Sequence, residues 1–271
     1  MDKESRDNLI QTRWSWQQLL LVAVGLFALL FGVDFVSKGL LFPGHGTTVI
    51  YIRAVIRFTY ALIAAGIVYY GLGGTKLLKR PTPLNVFLKT MITIIGVLLV
   101  LLLVLSNFPY RLVAMVHSKF FIADTLVALS AGIFEEFTCR GLLLSAFADA
   151  FRLSRHRYTW AAVTSGACFG LLHLFNILAG QGVKATIQQA IYAFVLGILF
   201  VAVRLTTNSL IWVIVIHFFI DWQQAIFSHV VAGSSPWPAF LIVWTPLLLI
   251  GLAYVIGFDR NIWRHSGLTF L

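Results

Sequence analysis

Apolar stretches of about 20 residues recur along this chain, and a helix of that length is long enough to cross the hydrocarbon core of a bilayer. Eight can be marked out: Trp16 to Val36, Val55 to Leu72, Phe87 to Ser106, Ile122 to Ala150, Trp160 to Leu178, Ile187 to Val203, Leu210 to Phe227 and Ala239 to Gly257. The punctuation falls between them, at Pro43 and Gly44, at Gly73 and Gly74 with Pro81 and Pro83, at Gly180 and Gly182, and from Gly233 to Pro238. The expectation is an all-α, polytopic membrane bundle of about eight transmembrane helices. No soluble domain interrupts it, and no internal repeat or low-complexity tract is visible.

Composition supports this reading. Hydrophobic residues make up 59% of the chain and charged residues 11%, against roughly a quarter charged in soluble domains. The net charge of +10 could indicate nucleic acid, but a nucleic-acid surface needs a soluble face to present it. Thirteen of the twenty Lys and Arg residues fall on the amino-terminal side of the expected spans and five on the other, with Arg57 and Arg140 inside spans. That asymmetry follows the positive-inside rule and places both termini in the cytoplasm. The first span is longer than a signal-peptide core and is expected to stay as an anchor. Cys139 and Cys168 form no CxxC pattern, so no disulfide scaffold is expected. Cys139, one turn from Glu135, reads as a small buried hydrophobe.

Ionisable residues in such helices stand out because each costs about 2.5 to 3.5 kcal/mol at mid-membrane on insertion scales. Three short patterns contain them: EExxxR from Glu135 to Arg140, FxxxH from Phe169 to His173, and HxxxD from His217 to Asp221. Adjacent helical residues point about 100° apart, so Glu135 and Glu136 are expected to face different places. Glu136 and Arg140, four apart, can pair as structural support. Glu135 is then left without a partner on its own helix and is the candidate general base. His217 and Asp221, also four apart, share a face in the middle of their span. A carboxylate base beside an imidazole can activate water, while a second imidazole polarises a carbonyl. The same residues also suit a zinc site built from His173, His217 and Glu135 or Asp221. The bland alternative is that these side chains only join helices by hydrogen bonds.

Weaker signals lie elsewhere. Gln188, Gln189 and Tyr192 can contact a peptide or serve as interhelical glue. Asn208 and Ser209 are expected to cap the seventh span. Arg53 and Arg57 can snorkel to the outer interface, and Trp14, Trp16, Trp160, Trp212 and Trp237 read as interface anchors.

The three patterns, in this order on apolar helices, resemble the motifs of the CAAX-protease and bacteriocin-processing (CPBP, Abi) family of intramembrane endopeptidases. The resemblance covers about residues 120–230, leaving 1–119 as amino-terminal spans and 231–271 as a last span and short tail. It implies a protease acting on a membrane-embedded or lipid-associated peptide within the bilayer. Glu135 and His173 would activate water, and His217 and Asp221 would stabilise the oxyanion. Such relatives are described both as metal-dependent and as glutamate-dependent; the glutamate-type mechanism with no cofactor is the favoured expectation, with zinc as the alternative. Relatives trim prenylated CAAX tails or are linked to bacteriocin maturation and self-immunity, and a non-catalytic immunity or scaffold protein of the same fold is the alternative. Many relatives carry Asn where this chain has Asp221, and an ionised carboxylate cannot donate a hydrogen bond to an oxyanion.

Overall fold

The computed structural model describes residues 12–44, 46–73, 83–224 and 233–266, with side chains as far as Ile262 in the last segment. Every regular element among them is helical. Helix α1, Trp16–Val36, begins with a capping box: Ser15 N donates to Gln18 Oε1 at 2.9 Å, and the Ser15 hydroxyl accepts from Gln18 N. It runs on through a widened turn, Ser37–Leu41. Helix α2, Thr47–Gly71, and helix α3, Val86–Leu105, follow, the latter capped by Asn85 at Leu88 N.

A short helix that the apolar pattern did not suggest, α4, spans Phe108–Val116. Asn107, at φ 58°, breaks the chain from α3, and Pro109 fits the first turn of α4. Helix α5, Phe121–Glu136, passes through a π turn, Phe137–Leu143, into α6, Leu144–Ala150. Helix α7, Arg157–Leu172, tightens into a 3-10 turn at His173–Ile177. Helix α8, Val183–Thr207, stops at Asn208, which has φ 50°. Helix α9, Ile211–Asp221, is short, and α10, Trp237–Ser266, closes the described chain.

The molecule is an all-α polytopic membrane bundle. Among the described residues, six helical segments are long and apolar enough to span a bilayer. The other two expected spans differ for physical reasons. The α5–α6 rod carries Asp124, Glu135, Glu136, Arg140 and Asp149, and α9 ends at Asp221 instead of near Phe227. Asp221 is thus at a helix end and not at mid-span; residues 225–232 lie outside the described residues.

Helix α8 is the central post. In its most apolar window 67% of residues are buried, against 17% for α1 and for α3. The outer faces of α1 and α3 expose Leu21, Phe35, Val86 and Leu105, the side chains that meet lipid in an integral membrane protein. Two seams of small residues set the distances near the site. A Cβ at Gly170 would stand 2.6 Å from the Ala190 carbonyl and one at Gly197 2.9 Å from Gly166 Cα, so α7 and α8 touch backbone to backbone. A Cβ at Gly132 would be 3.1 Å from the Ile214 carbonyl, which brings α5 equally close to α9. Asp259 on α10 accepts from Tyr158 N and Thr159 N, satisfying donors at the start of α7.

Candidate active site

The close approach at Gly132 carries both glutamates to α9. His217 is buried and projects between them. Its Nδ1 is 2.6 Å from Glu136 Oε1, while its Nε2 is 3.3 Å from Asp221 Oδ2 and 3.6 Å from Glu135 Oε2. The adjacent glutamates do face different places, as the 100° step along a helix predicts. They diverge from the helix, but one imidazole reaches both because its two nitrogens point to opposite sides of the ring.

Glu136 belongs to a dry layer. Its Oε1 also accepts from Arg140 Nη1 at 2.8 Å, with both side chains almost fully buried. The Arg140 guanidinium lies 4.4 Å from the ring centre of Phe169 and 5.1 Å from that of Phe200, within cation–π range. The same two rings flank His217 at 6.0 and 5.8 Å. Phe169, the first residue of the FxxxH pattern, is thus a wall shared by the ion pair and the imidazole. Glu136 Oε2 and Arg140 Nη2 are buried without hydrogen bonds among the described residues. Cys139 is a buried free thiol beside this layer.

Glu135 faces the other way. Its side chain keeps 26% of its surface exposed, against none for Glu136. It opens on a small crevice between α1, α2 and α5, lined by Leu30, Arg57, Tyr60, Ser130 and Phe134. Arg57 points into this crevice, with Nε 3.5 Å from Asp34 Oδ1 on α1, and does not simply snorkel outward.

His173 stands half-buried where α7 tightens into its 3-10 turn. Its Nδ1 lies 2.9 Å from the Phe169 carbonyl. A carbonyl only accepts, so Nδ1 carries a proton, and in the neutral ring Nε2 then presents a lone pair. The imidazole is near enough to act electrostatically on Glu135. No hydrogen bond joins the two among the described residues.

One contributor had no sequence signal beyond being a loop cation. Arg111 on α4 donates from Nη1 to the Ile220 carbonyl at 2.9 Å and to Gln223 Oε1, and from Nη2 to Ser106 Oγ. It caps the carboxyl end of α9 and acts electrostatically on Asp221. Other expected roles resolve as structure. Gln188 exchanges two hydrogen bonds with the Ser235 backbone, Gln189 accepts from Asn176 and Gln181, and Tyr192 stacks on Trp244. Asn208 ends α8 and does not cap α9; the Ser209 hydroxyl accepts from Ile211 N.

Residues 117–223 match the Rce1-like family, described as type II CAAX prenyl endopeptidase Rce1-like. The matched stretch holds the three patterns and the helices that assemble around His217. Arg57, Asp34 and Arg111 lie outside the matched stretch. No curated protein and no solved structure gives a significant match to the chain.

Proposed function

We propose that the protein is a glutamate-type intramembrane endopeptidase, hydrolysing a peptide bond in a lipid-modified, CAAX-type peptide. The observation that carries this reading is the asymmetry of the two glutamates around His217. One is sealed and ion-paired; the other opens on a crevice beside two histidines.

In this mechanism Glu135, assisted by the His173 Nε2 lone pair, takes a proton from water as the water oxygen bonds to the scissile carbonyl carbon. The oxyanion is met by the Nε2–H of His217. Carboxylate oxygens only accept, so an imidazole with carboxylates at both nitrogens donates through both. Glu136 fixes the ring through Nδ1, and Arg140 keeps Glu136 in place. Asp221, an acceptor at 3.3 Å, aims Nε2 and does not itself donate to the oxyanion. When the carbon–nitrogen bond breaks, Glu135 passes its proton to the departing amine, so the water is divided between the two products.

Among the described residues no group of three His, Cys, Asp or Glu side chains is arranged to hold a metal ion. The steps above follow the glutamate-type reading; a zinc-dependent reaction would instead draw on His173, His217 and Glu135 or Asp221. The family description favours a prenylated tail over a bacteriocin precursor as substrate.

The test is cleavage of a prenylated peptide by membranes holding matched amounts of wild type, Glu135→Ala, His173→Ala and His217→Ala. Loss in all three supports the mechanism. Full activity in all three defeats it, as does inhibition of the wild type by a strong chelator that added zinc reverses.

A further inference from the structure

The ring of Tyr192 is held as structure, but its hydroxyl is left for chemistry. Tyr192 lies on α8 beside the end of α7. A Cβ at Gly170 would stand 2.6 Å from the Ala190 carbonyl and 3.3 Å from Phe194 N, so the two helices touch on either side of residue 192. Gly170 is three residues before His173, and the contact sets the histidine turn against this part of α8. The ring of Tyr192 stacks on Trp244 of α10, with centroids 5.3 Å apart and planes 24° from parallel. One turn earlier, Gln188 braces α8 through two 2.9 Å hydrogen bonds with the Ser235 backbone. From this fixed position the hydroxyl is near enough to act electrostatically with both Asp221 and Glu135.

The amides around the hydroxyl decide what its proton can do. Gln189 Oε1 accepts from Asn176 Nδ2 and from Gln181 Nε2, each at 2.9 Å. An amide oxygen has two lone pairs, and both are taken. Gln189 is three residues before Tyr192 on the same face of α8, and its amide is within hydrogen-bonding reach of the hydroxyl. The end that meets Tyr192 is therefore the NH2, which donates, and the phenolic oxygen accepts. The phenolic proton is not drawn into this network. Among the described residues no acceptor takes it, and it is free to donate on the side where Asp221 and Glu135 lie.

Hydrolysis has a use for such a donor. Negative charge develops on the scissile carbonyl oxygen, and each preorganised donor aimed at it lowers the barrier. His217 Nε2 supplies one. Asp221 accepts at 3.3 Å and supplies none. We infer that Tyr192 is a further catalytic residue, its hydroxyl giving the second hydrogen bond to the oxyanion. This rests on the endopeptidase reading and adds a residue outside the three sequence patterns. The phenol keeps its proton throughout: its hydrogen bond strengthens as the water oxygen bonds to the carbonyl carbon, and weakens when the carbonyl re-forms and the carbon–nitrogen bond breaks. Gln189 is a positioning residue, holding the phenolic oxygen so that the O–H turns to the substrate.

The test compares wild type with Tyr192→Phe, which keeps a ring against Trp244 and removes only the hydroxyl, in matched amounts of folded full chain. Two quantities are read: the cleavage constants for a prenylated peptide, and the affinity of an analogue in which a phosphonate replaces the scissile amide and mimics the tetrahedral oxyanion. Tyr192→Phe should lower kcat by about 100-fold, the scale of one missing oxyanion donor, with KM within about 2-fold of wild type. It should weaken phosphonate binding by a similar factor. Gln189→Leu should lower kcat by about 10-fold and add little to Tyr192→Phe, because the two residues act through one hydrogen bond. An unchanged kcat in Tyr192→Phe overturns the inference, as does a loss confined to KM or a loss in kcat with phosphonate affinity intact. If wild type cleaves and Tyr192→Phe cleaves equally, only this inference fails. If wild type does not cleave, the hydrolytic mechanism fails and the role of Tyr192 falls with it.

Discussion

Glu135 and Glu136 are neighbours of identical chemistry, but the regions to which they belong differ as an interior differs from a surface. On the Glu136 side, a carboxylate, a guanidinium and two phenyl rings are packed without exposure. On the Glu135 side, the carboxylate meets a crevice, a half-buried histidine and the exposed end of α9. The difference comes from packing and not from residue type. Phe169 of α7 and Phe200 of α8 close over the Glu136 layer, whereas α1 and α2 leave a small crevice beside Glu135. His217 spans the boundary, with Nδ1 against Glu136 on the dry side and Nε2 facing Asp221 and Glu135 on the open side.

The largest effect on stability should come from the dry side. Arg140→Met removes the guanidinium from the buried Glu136 carboxylate, leaving it only His217, and should lower unfolding stability by about 3 to 5 kcal/mol, measured by thermal unfolding in detergent. Adding Glu136→Gln should restore part of that loss. Asp221→Asn, on the open side, should change stability by less than about 1 kcal/mol. Equal losses on the two sides would erase the contrast.

A smaller effect is expected at the seam that joins the sides. Gly132→Leu places new atoms against the Ile214 carbonyl and Phe218 N, backbone groups that yield little. It should cost about 1 to 3 kcal/mol and reduce peptide cleavage further than stability alone explains, because His217 moves away from both glutamates. Smaller again is Arg111→Met, which frees the end of α9. A charged hydrogen bond of this kind suggests a loss of about 10-fold in kcat, with partial recovery in Arg111→Lys and little further loss when introduced into Asp221→Asn.

The bundle itself was legible because lipid demands long apolar helices, and that demand is written in composition over windows of about 20 residues. Helix α4 was not legible: Phe108–Val116 is short and carries Pro109 and Arg111. The π turn was hidden too, since Phe137–Leu143 reads as ordinary helix. The Glu136–Arg140 contact lies within one local rod, so spacing could suggest it. The approach of Glu136 to His217 joins residues 81 positions apart and depends on Gly132 at a helix crossing. Arg57 was read as an interfacial cation because its partner, Asp34, lies on another helix.

The central claim is that Glu135, and not Glu136, handles the proton in hydrolysis. The direct measurement is the cleavage rate of a prenylated CAAX-type peptide per mole of folded protein for Glu135→Gln and for Glu136→Gln, with folding quantified by the same thermal-unfolding signal. Glu135→Gln should fold like the wild type and lose about a thousand-fold in rate, the scale of a missing general base. Glu136→Gln should lose stability first and keep substantial rate in the fraction that folds. A folded Glu135→Gln variant that cleaves at the wild-type rate would contradict the account.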